Sequence, residues 1–230
     1  VENVNLTLHN GEVLGVFGLM GSGRTELARI IFGLDPFERG EIKVKGVTVG
    51  GGGATSGPRA SISRQMAFVT EDRRAEGLLM DQSIADNIGL VSLSNFVHSW
   101  LQMVNQRRLN EAATSIGRML QIKSSAIERQ PAKSLSGGNQ QKVAIARWLT
   151  FPPKVLIVSE PTRGMDVGAK SEVLAILRNL RNEHYGVLVV SSEPETILAV
   201  SDQVLVISHG RVVSRLGKKG LNKVAFMWLI

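Results

Sequence analysis

Apolar positions along the chain fall into two rhythms that alternate from one end to the other. "EVLGVFG" (Glu12 to Gly18), "KVLIVSE" (Lys154 to Glu160), "YGVLVVSS" (Tyr185 to Ser192) and "DQVLVISHG" (Asp202 to Gly210) are short apolar runs of strand length. The second and third are continuous, as strands buried on both faces of a parallel sheet would be. "EIKVKGVTV" alternates with period two and predicts a half-buried antiparallel strand, followed by a flexible connection at "GGGGATSGP" (Gly50 to Pro58). Between the strands the spacing turns helical: Leu27, Ile30 and Ile31 in "TELARIIFG", then Leu109, Ala113, Ile116 and Leu120 inside 107–121, then Val173, Leu174, Ile176, Leu177 and Leu180. Ser83 ahead of "IADNIGL", with Asp86 three residues on, reads as a capped helix start. From about residue 76 to 149 the pattern is mainly helical. The plan is an α/β core interrupted by a helical insertion, without an internal repeat.

Composition adds exclusions. With 230 residues and 43% of them apolar, the chain suits one large or two small domains with a real core. No apolar run approaches the roughly 18 residues that suggest a membrane span, and the start lacks the layout of a signal peptide, so a soluble chain is expected. The final "VAFMWLI" is too short to span a bilayer and reads as part of a truncated amphipathic helix. Without cysteine there are no disulfides or thiolate metal sites, which fits a reducing cytosol. The formal charge of +7 suits an anionic partner, but pairs such as Arg73-Arg74, Arg107-Arg108 and Lys218-Lys219 are scattered and only 5% of residues are aromatic. Base stacking therefore has little to work with, and solvated side chains account for the charge.

The glycines carry the chemistry. "GLMGSGRT" (Gly18 to Thr25) follows a predicted strand and opens a predicted helix. It satisfies the phosphate-holding pattern G-x-x-x-x-G-K-[ST] at Gly18, Gly23 and Thr25, with Arg24 in the lysine position. Strand, glycine loop and helix together turn backbone N–H groups and the positive end of the helix toward an anion. A second anion-binding helix start is written at "KSLSGGNQQKVAIARWL" (Lys133 to Leu149), with the helix expected from near Asn139. It stands just ahead of "VLIVSEPTRGMD" and more than a hundred residues after the first loop.

In that order the motifs resemble the ABC ATPases, whose signature is LSGGQ and whose following strand ends in Asp-Glu. "GLMGSGRTEL", "VTEDRRAEGL", "LSGGNQQK" and "EPTRGMDVGAK" are similar, more narrowly, to the second of two fused cassettes in bacterial importers of ribose, galactose and xylose type. The resemblance covers nearly the whole chain. It implies a P-loop NTPase core of mainly parallel sheet flanked by helices, with an antiparallel β subdomain and an inserted α-helical subdomain. The core is expected at 1–75 and 150–215 and the helical subdomain at 76–149.

The resemblance also implies that two cassettes sandwich two ATP molecules, each held by one cassette's phosphate loop and the other's signature. Gly18, Gly21, Ser22 and Gly23 would cradle the β-phosphate and Thr25 would take Mg²⁺, with Arg24 and Glu26 in the same nucleotide-contacting run. Arginine is a planar fork where lysine is a compact point charge, so binding with poor catalytic geometry is expected. Glu71 stands where the family carries a glutamine that touches Mg²⁺ and faces the membrane subunit. Glu160 occupies the position of the general base. Ser159 replaces the aspartate that supports Mg²⁺, and a neutral hydroxyl is a poor partner for that ion. Ser192, in the short segment "SSEPET", is taken as the counterpart of the histidine that senses the γ-phosphate.

The parts that serve a partner's nucleotide look intact: Ser136, Gly137 and Gly138 with Gln140 in the signature, and Asp166 in the D-loop. An asymmetric cassette is expected, donating a working signature while its own site is slow or silent. The expected setting is the cytoplasmic face of the bacterial inner membrane, with a second cassette, permease subunits and, indirectly, a sugar-binding protein as partners and no nucleic acid. Only seventeen residues precede Gly18, so the family's upstream adenine-stacking aromatic and the fused cassette are expected to lie outside this chain, which reads as a piece of a longer protein. Two alternatives remain at this level: a non-transport ABC protein acting on ribosomes or DNA, and a purely structural cassette without nucleotide turnover.

Overall fold

The continuous apolar runs become the middle of one sheet. The computed structural model describes residues 1–51, 54–55, 57–97 and 103–217. Its six-stranded sheet has the order β5 (Met66–Val69), β6 (Val155–Ser159), β7 (Gly186–Ser191), β1 (Val13–Phe17), β8 (Gln203–Ser208) and β9 (Arg211–Gly217). β6, β7, β1 and β8 run parallel, and β9 closes the edge antiparallel to β8. Every residue of β1 and β7 is buried, which is why their sequences show no alternation. Because β6, β7 and β1 are parallel neighbours, their C-terminal ends come out on the same side. In an open α/β sheet that is the side where ligands bind.

The chain divides into two compact units, the first made of residues 1–68, 154–161 and the stretch from Leu177 onward, the second of 69–153 and 162–176. In the first, α1 (Arg24–Phe32) leaves the glycine loop and turns Leu27, Ala28 and Phe32 inward. Phe32 stacks on Phe68 of β5 with ring centroids 5.4 Å apart, a contact that adds about 1 kcal/mol to the burial itself. Ile30 and Ile31, expected on the inward stripe, are only half-buried. Two shorter helices, α2 (Gly57–Ser63) and α7 (Pro194–Val200), complete this unit, the latter with proline in its first turn where the missing N–H costs nothing.

"EIKVKGVTV" is two strands and not one. β2 (Glu41–Val44) and β3 (Val47–Gly51) form an antiparallel hairpin that β4 (Ala54–Thr55) extends. Lys45 and Gly46 have φ of 50 and 77, the pair of left-handed residues that a two-residue hairpin turn requires. The connection expected at Gly50 to Pro58 is correspondingly taken up by the end of β3, by β4 and by the start of α2. Positions 52, 53 and 56 lie outside the described residues, as do Lys218-Lys219 and "VAFMWLI".

The second unit is helical: α3 (Ile84–Gly89), α4 (Gln106–Met119), α5 (Gly137–Leu149) and the first part of α6 (Val167–Asn182), whose end belongs to the first unit. Ser83 caps α3, accepting from the Asp86 N–H at 3.0 Å and donating to its carboxylate at 2.6 Å. Asn105 caps α4. Buried Arg147 ties α5 to α3, donating to the Asn87 carbonyl at 3.0 Å and to its side-chain oxygen at 2.7 Å. Desolvation pulls its pKa down to about 10. α5 starts at Gly137, two residues ahead of the expected Asn139, because Ser136 is the residue that caps it. Among the described residues no helix is long and apolar enough to cross a membrane.

Candidate functional site

The glycine loop sits at the C-terminal end of β1, and its shape follows from what each glycine must avoid. A Cβ on Gly18 would run into the Ser22 side chain and lie 2.7 Å from the Ile207 carbonyl oxygen. Gly23 has φ +95 and faces Gly210 at the β8–β9 turn, a left-handed conformation that a side chain would strain. The Gly210 N–H donates to the Ser22 carbonyl at 2.8 Å, so the hairpin turn braces the loop from behind. Gly21 also has positive φ. Ser22 is buried with its hydroxyl unpaired. Thr25 is half-buried and Glu26 exposed in the first turn of α1. A glycine turn feeding a nine-residue helix fits a phosphate group.

Arg24 does not point out of this loop. Its guanidinium donates to the Leu19 carbonyl at 2.6 Å and to Glu160 Oε1 at 2.7 Å, and the two charged side chains are only 7% and 3% exposed. Glu160 comes from the end of β6 with φ of 45, held by its N–H to the Val190 carbonyl at 2.8 Å. Its Oε1 also accepts from the Ser192 N–H at 2.8 Å, and its Oε2 accepts from the Ser191 hydroxyl at 2.9 Å. The fold thus brings Arg24, Glu160 and Ser192 together. Ser192 takes part through its backbone, while Ser191, which the sequence does not single out, supplies the hydroxyl. Nothing in "SSEP" distinguishes the two serines until the strand end fixes which one faces Glu160.

The same corner offers Mg²⁺ few protein oxygens. Thr25 and Ser159 offer neutral hydroxyls, that of Ser159 being buried without a partner. Glu160, the carboxylate that follows Ser159, has both oxygens engaged. No group of three or more His, Cys, Asp or Glu side chains among the described residues could hold a metal ion. Two hydroxyls and an engaged carboxylate are what the protein offers at this corner, so the anionic oxygens around a bound Mg²⁺ would have to come from the nucleotide's phosphates.

In the second unit the signature forms its own end. Ser136 Oγ accepts from the Asn139 side-chain amide at 3.0 Å and from the Asn139 N–H at 3.5 Å. Gly138 is packed so closely on Ala169 that a Cβ would lie 2.6 Å from that methyl group. Gln140 is buried and donates to the Leu135 carbonyl at 3.1 Å, so its amide supports the loop from inside. Asp166 caps α6, accepting from the Ala169 N–H at 2.9 Å. Glu71 is half-buried in the turn after β5. Beside these lies Arg73, which in the sequence is only half of a basic pair, with its guanidinium against Gly137. Burial, with Arg74 next to it, holds the Arg73 pKa below the ordinary arginine value against the pull of Asp72.

The chain is similar to known proteins. The profile of the ABC transporter family matches residues 1–163. Ribose import ATP-binding protein RbsA of Bacillus cereus is 42% identical over 228 residues, covering 99% of this chain and 45% of its own length. RbsA 1 of Rubrobacter xylanophilus is 43% identical over 216 residues, with 94% and 42% covered. The chain therefore spans a little under half the length of these relatives. Among solved structures, the ATP-binding cassette MJ0796, a dimer in a post-hydrolysis state bound to ADP and Pi, superposes with a TM-score of 0.78 at 23% identity, covering 95% of this chain and 90% of that one. The motifs, the sheet order and these relatives agree that the chain belongs to the ABC transporter family.

Proposed function

We propose that the chain is an ATP-binding cassette of a bacterial sugar importer that donates its signature to a partner cassette while its own ATP site turns over slowly or not at all. The import role is supported by the ribose import relatives at 42% and 43% identity, which do not favour a ribosome- or DNA-acting protein. The chain would work at the cytoplasmic face of the inner membrane against permease subunits, with a sugar-binding protein acting through them.

The observation that carries the asymmetric reading is the buried Arg24–Glu160 pair. A general base must be free to take a proton from water, and in ATP-binding folds the loop cation serves the phosphates. Here each group satisfies the other. ATP would still be bound by the N–H groups of Gly21 to Thr25, with its own charge drawn to the α1 N-terminus. Hydrolysis by the purified chain should therefore stay far below the median enzyme turnover of about 10 per second. Mg²⁺-dependent turnover near that figure would overturn the reading.

Repair of the site supplies a second expected result. Lysine at position 24 cannot hold the Leu19 carbonyl and Glu160 with a planar fork, and aspartate at 159 would place an anionic oxygen where the unpaired hydroxyl now sits. Arg24→Lys and Ser159→Asp together should tighten Mg²⁺-ATP binding, followed by calorimetric titration, by more than the sum of the single changes, a coupling of roughly 0.5–3 kcal/mol. Additive effects would mean that the two positions do not act on one ligand.

A further inference from the structure

The Arg73 side chain is held against the start of the signature helix. Its turn is closed by hydrogen bonds: the Asp72 carboxylate accepts from the N–H groups of Arg74 and Ala75 at 3.1 and 2.9 Å, and the Asp72 carbonyl accepts from those of Glu76 and Gly77. From this turn the guanidinium reaches across the second unit. One terminal nitrogen donates to the Arg163 carbonyl at 3.2 Å. The other lies 3.0 Å from where a Gly137 Cβ would stand, and the Gly164 carbonyl is 3.7 Å from the same point. A side chain at position 137 would crowd Arg73, whose guanidinium would have to give by a few tenths of an ångström. Nε is buried without a partner.

Two costs follow from this placement. A cation beside the first residue of α5 opposes the positive end of the helix, where negative charge is preferred. A buried N–H without an acceptor loses its hydration for nothing in return. The neighbouring carboxylate, Asp72, is already engaged with backbone N–H groups. The first of these costs is offset when an anion occupies the α5 N-terminus. The side chain also joins the first residue of the signature helix to the segment Arg163–Gly164, which leads directly into the Asp166 cap of α6.

We infer that Arg73 is a positioning residue of the signature: its guanidinium locks Gly137 and the Arg163 carbonyl together, so that the α5 N-terminus and the Asp166 turn approach the partner's phosphate as one piece. This rests on the reading that the signature serves a partner cassette. Lysine keeps the charge but cannot span both contacts, since it lacks the fork.

The test is steady-state ATPase of the assembled importer carrying this cassette, with Arg73→Ala, Arg73→Lys and Ser136→Arg compared and the melting temperature of each recorded. Arg73→Ala should lower kcat on the order of 100-fold, as misplacement of a reacting group by about 1 Å does. KM for ATP should hold, because the contact matters in closure and not in ground-state binding. Arg73→Lys should recover little of the loss, at an unchanged melting temperature. Full kcat in Arg73→Ala, or full recovery by lysine, would overturn the positioning role while Ser136→Arg remained inactive. An active Ser136→Arg protein would overturn the signature reading itself, and the Arg73 inference with it.

Discussion

Ser136→Arg in the assembled importer should collapse both transport and ATPase activity, whereas Thr25→Ala should leave most of each intact. Ser136 caps α5 through Asn139 and stands exposed ahead of the N–H groups of Gly137 and Gly138. An arginine at 136 would cover those N–H groups with a long side chain and remove the cap. Loss of the cap costs about 1 kcal/mol of stability, too little to unfold a domain. Loss of a preorganised donor set facing developing charge costs about 10²–10³ in rate even for one donor. The second effect decides the outcome, and on the proposed division of labour it falls on the ATP held by the other cassette's loop. On the same proposal Thr25 serves a site whose base is tied to Arg24, which leaves its hydroxyl little turnover to lose. The check is the ATPase rate of the reconstituted complex for each variant. Equal damage from the two substitutions would make the two sites equivalent.

How much of this is legible in the sequence depends on the range over which each feature is decided. β1, β6 and β7 are decided locally, since strands buried on both faces read as near-continuous apolar runs. The β2–β3 hairpin is legible in principle. Apolar residues fall at Ile42 and Val44 and then at Val47 and Val49, and that slip in phase is the two-residue turn at Lys45 and Gly46. Read as one alternation, the turn disappears. β9 escapes because its burial alternates only between exposed and half-buried, so no apolar contrast marks it. β5 is four residues long, below the length at which periodicity speaks.

The site divides in the same way. Its glycines and its signature are local patterns and can be read from the chain, including the need for Gly18 and Gly23. The contacts that give them their chemistry are not local. Arg24 and Glu160 are 136 positions apart, and each has a separate duty in the sequence until the parallel order β6, β7, β1 brings their strand ends to one corner. Arg73 meets Gly137 only through the packing of its turn on α5. A basic pair in sequence carries no hint of which member will pack inward.

The Arg24–Glu160 pair is expected to dominate the stability of the glycine loop as well as its chemistry. With side chains only 7% and 3% exposed, neither charge keeps its hydration, and each depends on the other and on Leu19, Ser191 and Ser192. Replacing one member leaves the other charge buried and unpaired, which costs about 3–5 kcal/mol. Arg24→Met and Glu160→Leu should each lower stability by that amount in urea denaturation, read from the midpoint at constant slope. The double variant Arg24→Met/Glu160→Leu should recover most of the loss, because two apolar side chains of similar volume are as stable in such a place as a paired arginine and glutamate, or more so by about 1–4 kcal/mol. Recovery in the double variant separates a buried pair from a pair that water already screens, for which single losses would stay below about 1 kcal/mol and would add. Small additive losses would mean that Arg24 is free to leave Glu160 for a phosphate, and a captured base could then no longer account for a slow site.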